Sequence, residues 1–266
     1  MKHQILVQPA VTIAPEGKLI VHPVSSDATS LSVVVPTLNE AENIGSFLSE
    51  LSNLLDAVLP DSYEIIVVDD NSSDGTLEIA KAVAETHPEI RLVRREGKRE
   101  LATAVIRGWQ MSRGRVLATI NADFQHPPSL ITDMWELIGL NVDLVAASRY
   151  GEMGSTGEWT ISRRILSRGA MQLGKILLPE VYRRVSDPLS GCFMLRRETV
   201  AGVELKPLGF KSLIEVLVRG QVVSIAECPY TMNPRQRGSS KARPLRSLDY
   251  VRQLIRLRAA RRKSRR

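Results

Sequence analysis

The sequence has little of several features that define whole classes of proteins. It contains two cysteines, Cys192 and Cys228, in 266 residues, which excludes a disulfide-rich secreted scaffold. Both lie in apolar surroundings and indicate reduced, buried thiols, although the sequence leaves a bond between them open. No apolar run approaches the ~18–20 residues that span a bilayer, and no early apolar segment resembles a secretory signal. We therefore expect a cytoplasmic globular protein with a substantial core.

Acidic residues are missing from the last fifteen positions, 252–266, which carry eight Lys or Arg. This segment accounts for much of the net charge of +7. Nucleic acid, an anionic membrane surface and a simple solubilising role all fit such a tail. The rest of the chain shows no nucleic-acid-binding motif, so we expect no nucleic-acid partner.

Apolar runs and helical periodicity alternate regularly from residue 31 onward. Strands are predicted at 31–36, 63–70, 90–95, 115–120 and 143–148, and helices at 41–58, 75–86, 101–112 and 129–139. The second half is less regular, with helices at about 160–178, 210–219 and 245–260 and strands near 192–196 and 222–227. Strands that are apolar throughout and alternate with helices predict an α/β fold, a mostly parallel sheet covered on both faces. Ligands bind such sheets at the carboxyl ends of the strands.

Polar residues follow three of these strands. Asn39 fits a helix N-cap, whereas Glu40 is better placed to accept hydrogen bonds from a base or ribose. The adjacent carboxylates Asp69 and Asp70 need hydrogen-bond donors or a cation nearby. An N-A-D-F-Q sequence at 121–125 brings short oxygen-bearing side chains to alternate positions, and these can converge on a hard ion such as Mg²⁺ that also binds substrate phosphates.

Nine segments in order carry a family resemblance. They are VVVPTLNEAENI (33–44), IIVVDDNSSDGT (65–76), LATAVIRGW (101–109), NADFQHPP (121–128), ASRYGEMG (147–154), GEWTISRRILSRGA (157–170), DPLSGCFMLRR (187–197), GFKSLIEVLVRG (209–220) and RQRGSSK (235–241). Over about 31–258 the chain resembles the inverting family-2 glycosyltransferases with a GT-A (Rossmann-like) nucleotide-diphospho-sugar transferase fold. It is most similar to the polyprenyl-phosphate (dolichyl-phosphate) mannosyltransferase type. The resemblance implies a catalytic domain at 31–241, after a weakly ordered extension at 1–30 and before a basic amphipathic helix and tail at 242–266.

The resemblance also implies roles for individual positions. The donor nucleoside pocket would comprise Pro36, Leu38, Glu40, Val68 and Asp70, while Asn121, Ala122 and Asp123 would contact the donor diphosphate. The ligands of Mg²⁺ or Mn²⁺ would be Asn121, Asp123 and Gln125. Arg149, Arg163 and Ser167 would hold phosphate groups and act with Asp123 in catalysis. Arg149 would also contact the donor, and Arg235 and Lys241 would close over its diphosphate.

The implied reaction moves a hexose, mannose in the first instance, from GDP-mannose to polyprenyl phosphate. Because the acceptor is already anionic, no general base is expected, and the main need is to stabilise the leaving nucleoside diphosphate. Asn121 stands where the family usually has Asp and brings no charge to a metal. Two alternatives therefore stay open. One is transfer from UDP-glucose or another donor to a non-lipid acceptor, and the other is a sugar-nucleotide-binding protein with weakened catalysis.

The C-terminal segment suggests how a lipid acceptor is reached. Five apolar residues lie at helical spacing among arginines: Leu248, Val251, Leu254, Ile255 and Leu257. Such an amphipathic helix with a basic end is typical of a segment that lies on anionic lipid. We expect peripheral attachment to the cytoplasmic face of a membrane, with a separate membrane-anchoring subunit as a further candidate partner.

Overall fold

The structure is a computed structural model that describes residues 10–97, 99–150, 154–156, 161–234 and 245–264. For residues 161–166, 245–247 and 262–264 it describes the backbone alone. None of the described helices is long and apolar enough to cross a membrane.

The described part of the chain contains one large sheet and one small one. The strands are β1 (Val11–Ile13), β2 (Leu19–Ile20), β3 (Leu31–Thr37), β4 (Tyr63–Asp69), β5 (Ile90–Arg94), β6 (Val116–Thr119), β7 (Leu144–Ser148), β8 (Phe193–Arg196), β9 (Glu204–Leu205) and β10 (Ile225–Pro229). Eight of them form a sheet in the order β1-β5-β4-β3-β6-β8-β7-β10, and β2 pairs with β9 separately. Within the large sheet only β8 runs antiparallel to its neighbours β6 and β7. The prediction of a mostly parallel sheet is confirmed.

Helices cover both faces of this sheet. They are α1 (Ala41–Val58), α2 (Thr76–Ala84), α3 (Leu101–Met111), α4 (Leu130–Gly139), α5 (Ile161–Leu177), α6 (Pro179–Tyr182), α7 (Ser212–Arg219) and α8 (Leu245–Ser264), with a 3₁₀ turn at Arg197–Thr199. Successive strand residues point to opposite faces. Val33 and Val35 therefore belong to the apolar cluster that includes α1, α2 and α4, while Val34 belongs to the cluster that includes α3, α6, α7 and α8. Such two-sided burial explains why these strands are apolar at every position.

Residues 10–30 correct the expectation of a weakly ordered extension. β1 adds a parallel strand to the edge of the large sheet beside β5, and β2 pairs with β9. Val21, directly after β2, is fully buried, and the Arg107 guanidinium donates to the Gly17 carbonyl at 2.5 Å. Strands of three and two residues are too short to show periodicity in the sequence, and they form because distant segments pair with them.

The C-terminal helix α8 corrects a second expectation. Of its predicted apolar stripe, Leu254 and Leu257 are buried in the protein core, whereas Leu248 and Ile255 are 53% and 56% exposed. The Tyr250 hydroxyl lies 2.7 Å from the Tyr182 hydroxyl and donates to the Ala170 carbonyl of α5 at 2.8 Å. The helix thus docks through part of its apolar surface, and that part is not free to enter a lipid layer.

Candidate active site

The carboxyl ends of three neighbouring strands bring the predicted donor-site loops together. β3 lies between β4 and β6 and is parallel to both. The Asp70 amide donates to the Thr37 carbonyl at 2.9 Å, and the Ile120 amide donates to the Val34 carbonyl at 3.2 Å. The loops that begin at residues 38, 70 and 121 therefore leave one edge of the sheet side by side, as the sequence predicts.

Side chains cross-link the first two loops. Asn39 has a left-handed backbone (φ 52°) and accepts a hydrogen bond at Oδ1 from the Ser73 amide at 3.0 Å. Its own amide donates to the Ser72 hydroxyl at 2.8 Å. The N-cap position of α1 belongs to Glu40, and the Asp74 carboxylate accepts from the Ala41 amide at 3.0 Å. Asn39 is therefore a loop-to-loop link, and its expected capping role is wrong because the cap comes from the neighbouring loop.

The two adjacent carboxylates after β4 have different environments. Asp69 is used by the fold, since it accepts hydrogen bonds from the Thr37 hydroxyl and from the amide and hydroxyl of Ser72. Asp70 is 6% exposed and pairs with the Arg95 guanidinium at 2.7 Å. Burial raises the pKa of Asp70 to about 6, against the opposing effect of Arg95. Asp70 is thus a hydrogen-bond acceptor with a fixed counterion, and it lies where the donor nucleoside is predicted to bind.

The remaining predicted nucleoside residues differ in exposure. Pro36 and Val68 are register partners on β3 and β4 and are buried. A side chain on Gly108 of α3 would come within 3.0 Å of Val68, so Val68 packs beneath that helix. Leu38 and Glu40 are half-buried in the loop, and the Glu40 carboxylate accepts from the Asn43 amide group at 3.2 Å.

The segment after β6 folds into a tight turn with a strained residue. Phe124 has φ 57°, a conformation that costs an aromatic residue roughly 1–3 kcal/mol. Its ring packs edge-on against Phe47 of α1 with the centroids 5.2 Å apart. The Gln125 amide donates to Asp123 Oδ1 at 3.2 Å. The apolar anchor of Phe124 in the core therefore holds the flanking residues Asp123 and Gln125 in a fixed turn.

The oxygen atoms in this turn fit a hard cation. Asp123 is 5% exposed, and Ala122 is buried between it and Asn121. Asn121 Oδ1 is buried and accepts no hydrogen bond from any residue that the structure describes. A buried amide oxygen without a donor is costly, and a divalent cation would satisfy it. Asn121 and Asp123 thus offer an amide oxygen and a carboxylate of the kind that Mg²⁺ or Mn²⁺ binds, and the role of Gln125 as a third ligand stays a prediction.

His126 closes the turn as a neutral, buried ring. Its ring lies 5.0 Å from that of Tyr230. Burial, together with the charge of Arg149, lowers the pKa of His126 to about 3. The Asn233 amide donates to the Gln125 carbonyl at 3.2 Å, so the segment after β10 runs beside the turn. The imidazole therefore adds no positive charge near the predicted metal ligands at neutral pH.

Arg149 follows β7 and is held by a buried carboxylate. Its Nε and Nη2 donate to the two oxygens of Asp187 at 2.6 and 2.8 Å. Arg149 is 9% exposed and Asp187 is fully buried, and the pairing raises the pKa of the arginine. Tyr150 lies beneath the guanidinium at 5.6 Å, and its hydroxyl is 3.1 Å from that of Ser167 on α5. The predicted phosphate-binding residues Arg149 and Ser167 are thus connected through one tyrosine.

The loop at 187–191 organises both halves of the site. Asp187 holds Arg149, and the Leu189 carbonyl accepts a hydrogen bond from the Lys211 ammonium. A side chain on Gly191 would come within 3.1 Å of the Asn121 amide nitrogen. This is tighter than most contacts of a Cβ atom, so a glycine here lets the loop approach Asn121 without displacing it.

Three predicted residues are not fully described. The side chain of Arg163, and Arg235 and Lys241 entirely, lie outside the described residues. The backbone of Arg163 belongs to α5, one turn before Ser167. Their roles stay predictions.

Comparison with known proteins identifies the family of the chain. Residues 32–202 match the profile of Glycosyl transferase family 2. The chain belongs to this family. A dolichol-phosphate mannosyltransferase of Pyrococcus furiosus is 40% identical over 227 residues, 85% of this chain and 63% of that protein. The chain thus spans less than two thirds of that relative. The Saccharomyces cerevisiae dolichol-phosphate mannosyltransferase is 30% identical over 231 residues, 84% of this chain and 85% of that protein.

Solved structures confirm the GT-A fold. The glucosyl-3-phosphoglycerate synthase of Mycobacterium tuberculosis, in complex with Mn²⁺, UDP-glucose and phosphoglyceric acid, superposes with a TM-score of 0.64. It is 24% identical and covers 88% of this chain and 79% of its own. The mannosyl-3-phosphoglycerate synthase of Rubrobacter xylanophilus gives a TM-score of 0.63 at 22% identity, covering 89% of this chain and 75% of its own. At these identities the likeness concerns the fold alone.

Sequence reasoning on this glycosyltransferase missed three charged residues of the site. Arg95, Asp187 and Lys211 contact, respectively, Asp70, Arg149 and the loop beside Asn121. Asp187 and Lys211 stand inside the segments at 187–197 and 209–220 that carry the family resemblance, and this position is the signal that could have indicated them. Arg95 ends a predicted strand and looks like an ordinary surface residue until the sheet order is known.

Proposed function

We propose that this chain is an inverting mannosyltransferase that moves mannose from GDP-mannose to a polyprenyl phosphate of the dolichyl type. The proposal rests on the polar edge of the sheet. This edge offers separate places for a nucleoside at Asp70, a diphosphate at the 121–125 turn and a second phosphate at Arg149. Three relatives at 30–40% identity are named dolichol-phosphate mannosyltransferase, which supports this acceptor and this sugar.

The donor half binds the sugar nucleotide. Asp70 and Glu40 accept hydrogen bonds from the base and ribose, with Arg95 fixing the position of the Asp70 carboxylate. Asn121, Asp123 and Gln125 hold Mg²⁺ or Mn²⁺ at the diphosphate. When bound, the metal supplies positive charge for the leaving nucleoside diphosphate. Arg235 and Lys241 add to that charge by closing over the donor.

The acceptor half binds the lipid phosphate. The planar guanidinium of Arg149 suits a phosphate group, and Asp187 occupies two of its donors while fixing its plane. Arg163 and Ser167, one turn apart on α5, bind the same phosphate. An anionic oxygen of the lipid phosphate attacks the anomeric carbon of mannose directly, and GDP leaves. The site therefore needs to orient the two substrates and stabilise the leaving diphosphate, and it needs no proton acceptor.

The same proposal places the protein at the cytoplasmic face of a membrane. The exposed surface of α8 carries Leu248 and Ile255, and the 70% exposed Arg252 lies on it as well. Apolar and basic groups on one surface suit an anionic lipid layer. A separate membrane-anchoring subunit is a second candidate occupant, and sedimentation of the purified chain with anionic vesicles at low and high salt distinguishes the two. Binding that weakens with salt supports direct lipid contact.

The deciding experiment follows label from the donor into the lipid phase. Purified chain is incubated with Mg²⁺ or Mn²⁺, a polyprenyl phosphate and labelled GDP-mannose, with UDP-glucose in parallel. Transfer from GDP-mannose that stops with EDTA is the expected result. Transfer from UDP-glucose alone would correct the donor, and transfer from neither would contradict the proposal.

A second candidate, a sugar-nucleotide-binding protein with weakened catalysis, is favoured by one observation. The buried amide of Asn121 brings no negative charge to the metal. An Asn121→Asp variant should bind metal more tightly, with Asn141→Asp, at an exposed position beyond α4, as the charge-matched control. Donor binding without turnover in the native chain, together with turnover in Asn121→Asp, would favour this candidate.

A further inference from the structure

A cavity lined by three arginines lies at the end of the sheet opposite the candidate active site. It measures about 460 Å³ and is lined by the start of β6, the end of β8, the segment from Pro23 to Ser30 and Trp135 of α4. We propose that it binds a small soluble anion bearing a phosphate group. The proposal does not rest on the glycosyl transfer, because none of the residues that line the cavity belongs to the donor or acceptor site.

The cavity wall carries an excess of positive charge. Arg115, Arg196 and Arg197 line it, against a single carboxylate from the exposed Glu198. No carboxylate among the described residues forms an ion pair with any of the three arginines. Guanidinium groups recognise phosphate through paired N–H donors, and the lining of the cavity carries three of them against one carboxylate.

Two of these arginines are used by the fold. Arg196 donates to the carbonyls of Val142 and Ile138, where it closes the end of α4. Arg197 is 3% exposed and donates to the carbonyls of Gly114 and Ser112 at 2.6 and 3.0 Å. Every nitrogen of the Arg197 guanidinium donates to an oxygen within the protein. Carboxylates offset part of the charge of both arginines, since Arg196 contributes to the lowered pKa of Asp143 and Glu64 interacts electrostatically with Arg197. These two arginines therefore shape the wall of the cavity and leave recognition of an anion to Arg115.

Arg115 is the arginine that the fold does not use. Within the described chain, its exposed side chain makes a single hydrogen bond, 3.3 Å long, to the Ser30 hydroxyl. Ser30 lines the cavity as well, and its hydroxyl also lies 2.8 Å from that of Ser62. The exposed Ser25 is a further lining residue. A guanidinium with open donor positions and a serine hydroxyl on the same wall are donors that suit a phosphate group.

The cavity is far from the predicted metal turn but connected to it. Residues 115 and 121 flank the same strand β6, so they are separated by roughly 20 Å at 3.3 Å per residue. A bound anion at the cavity therefore contacts different residues from the donor diphosphate, and substitutions can separate the two binding events.

Isothermal titration of the full chain with inorganic phosphate, in EDTA and a phosphate-free buffer, tests the proposal. Arg115→Gln removes the open guanidinium, and Arg113→Gln is the matched control, since Arg113 is exposed and does not line the cavity. We expect binding to weaken about tenfold in Arg115→Gln and to stay within about twofold of the native value in Arg113→Gln. Circular dichroism verifies that both variants are folded.

Three results would overturn the assignment. The first is no heat from the native chain up to about 10 mM phosphate, a concentration at which even a weak site fills. The second is unchanged binding in Arg115→Gln, which places the phosphate at the active site instead. The third is equal weakening in both variants, which indicates a response to net charge alone. Where free phosphate gives no heat, sedimentation with phosphatidic-acid vesicles that Arg115→Gln lowers and Arg113→Gln does not would assign the cavity to a lipid headgroup.

Discussion

The buried pair of Arg149 and Asp187 allows the sharpest test of the site. Arg149 is 9% exposed and Asp187 is fully buried, with two hydrogen bonds of 2.6 and 2.8 Å between them. Asp187→Asn keeps the shape of the side chain but leaves the guanidinium without a counterion in a buried place. Breaking a buried pair from one side costs about 3–5 kcal/mol, and we expect a loss near the lower end because the amide oxygen still accepts one hydrogen bond.

Urea unfolding followed by circular dichroism measures this loss. The matched control is Asp249→Asn, which removes a 3.5 Å pair with Arg252 on the surface of α8. That pair is exposed and should contribute at most about 1 kcal/mol. With a slope of about 1–3 kcal/mol per molar urea, the midpoint should fall by roughly 1 M or more in Asp187→Asn. A loss below about 1 kcal/mol, or equal to that of the control, would refute the electrostatic role assigned to Asp187.

The remaining predictions concern protonation and packing. Burial raises the pKa of Asp70 to about 6 from 3.8, so its ionisation opposes folding. In urea unfolding between pH 4 and 7, the native chain should therefore lose stability relative to Asp70→Asn as the pH rises. The buried His126, with its pKa lowered to about 3, acts in the opposite direction in both proteins and cancels from this comparison. In thermal unfolding, Gly108→Ala should lower the free energy of unfolding by about 1–3 kcal/mol, because the new Cβ atom would lie 2.5 Å from a valine methyl group. The control Gly139→Ala, whose Cβ would meet no atom within 4 Å, should leave the free energy of unfolding unchanged or raise it. Leu254→Ala should lower the free energy of unfolding by about 2–4 kcal/mol, because Leu254 is buried, and Leu248→Ala should lower it by less than about 0.5 kcal/mol. Equal losses in the two variants would contradict the docking of α8 on the core.

The framework of the fold could be predicted because its signals are local. Apolar residues at helical spacing place α1 at 41–58, the range that the structure shows. Buried strands read as continuous apolar runs, and polar residues after them mark the edge where ligands bind. β1 and β2 escaped prediction because strands of three and two residues carry no periodicity of their own.

The partners of the site residues could not be predicted because they depend on sheet order. Arg149 meets Asp187, 38 residues away, because each adjoins one of the neighbouring strands β7 and β8. Nothing in the sequence states that β8 runs antiparallel between β6 and β7. The left-handed backbone of Phe124 is equally hidden, since the aromatic contact that stabilises it comes from another element.

The position of β8 explains how one short loop serves both halves of the site. Because β8 is antiparallel to its neighbours, its amino end lies at the sheet edge where β6 and β7 have their carboxyl ends. The 187–191 loop that precedes it therefore reaches Asn121 on one side and Arg149 on the other. The distance between the predicted metal turn and Arg149, the arginine proposed to bind the acceptor, is consequently set by the backbone and a buried ion pair. Such rigid spacing is what direct attack of one phosphate oxygen on a bound sugar nucleotide requires.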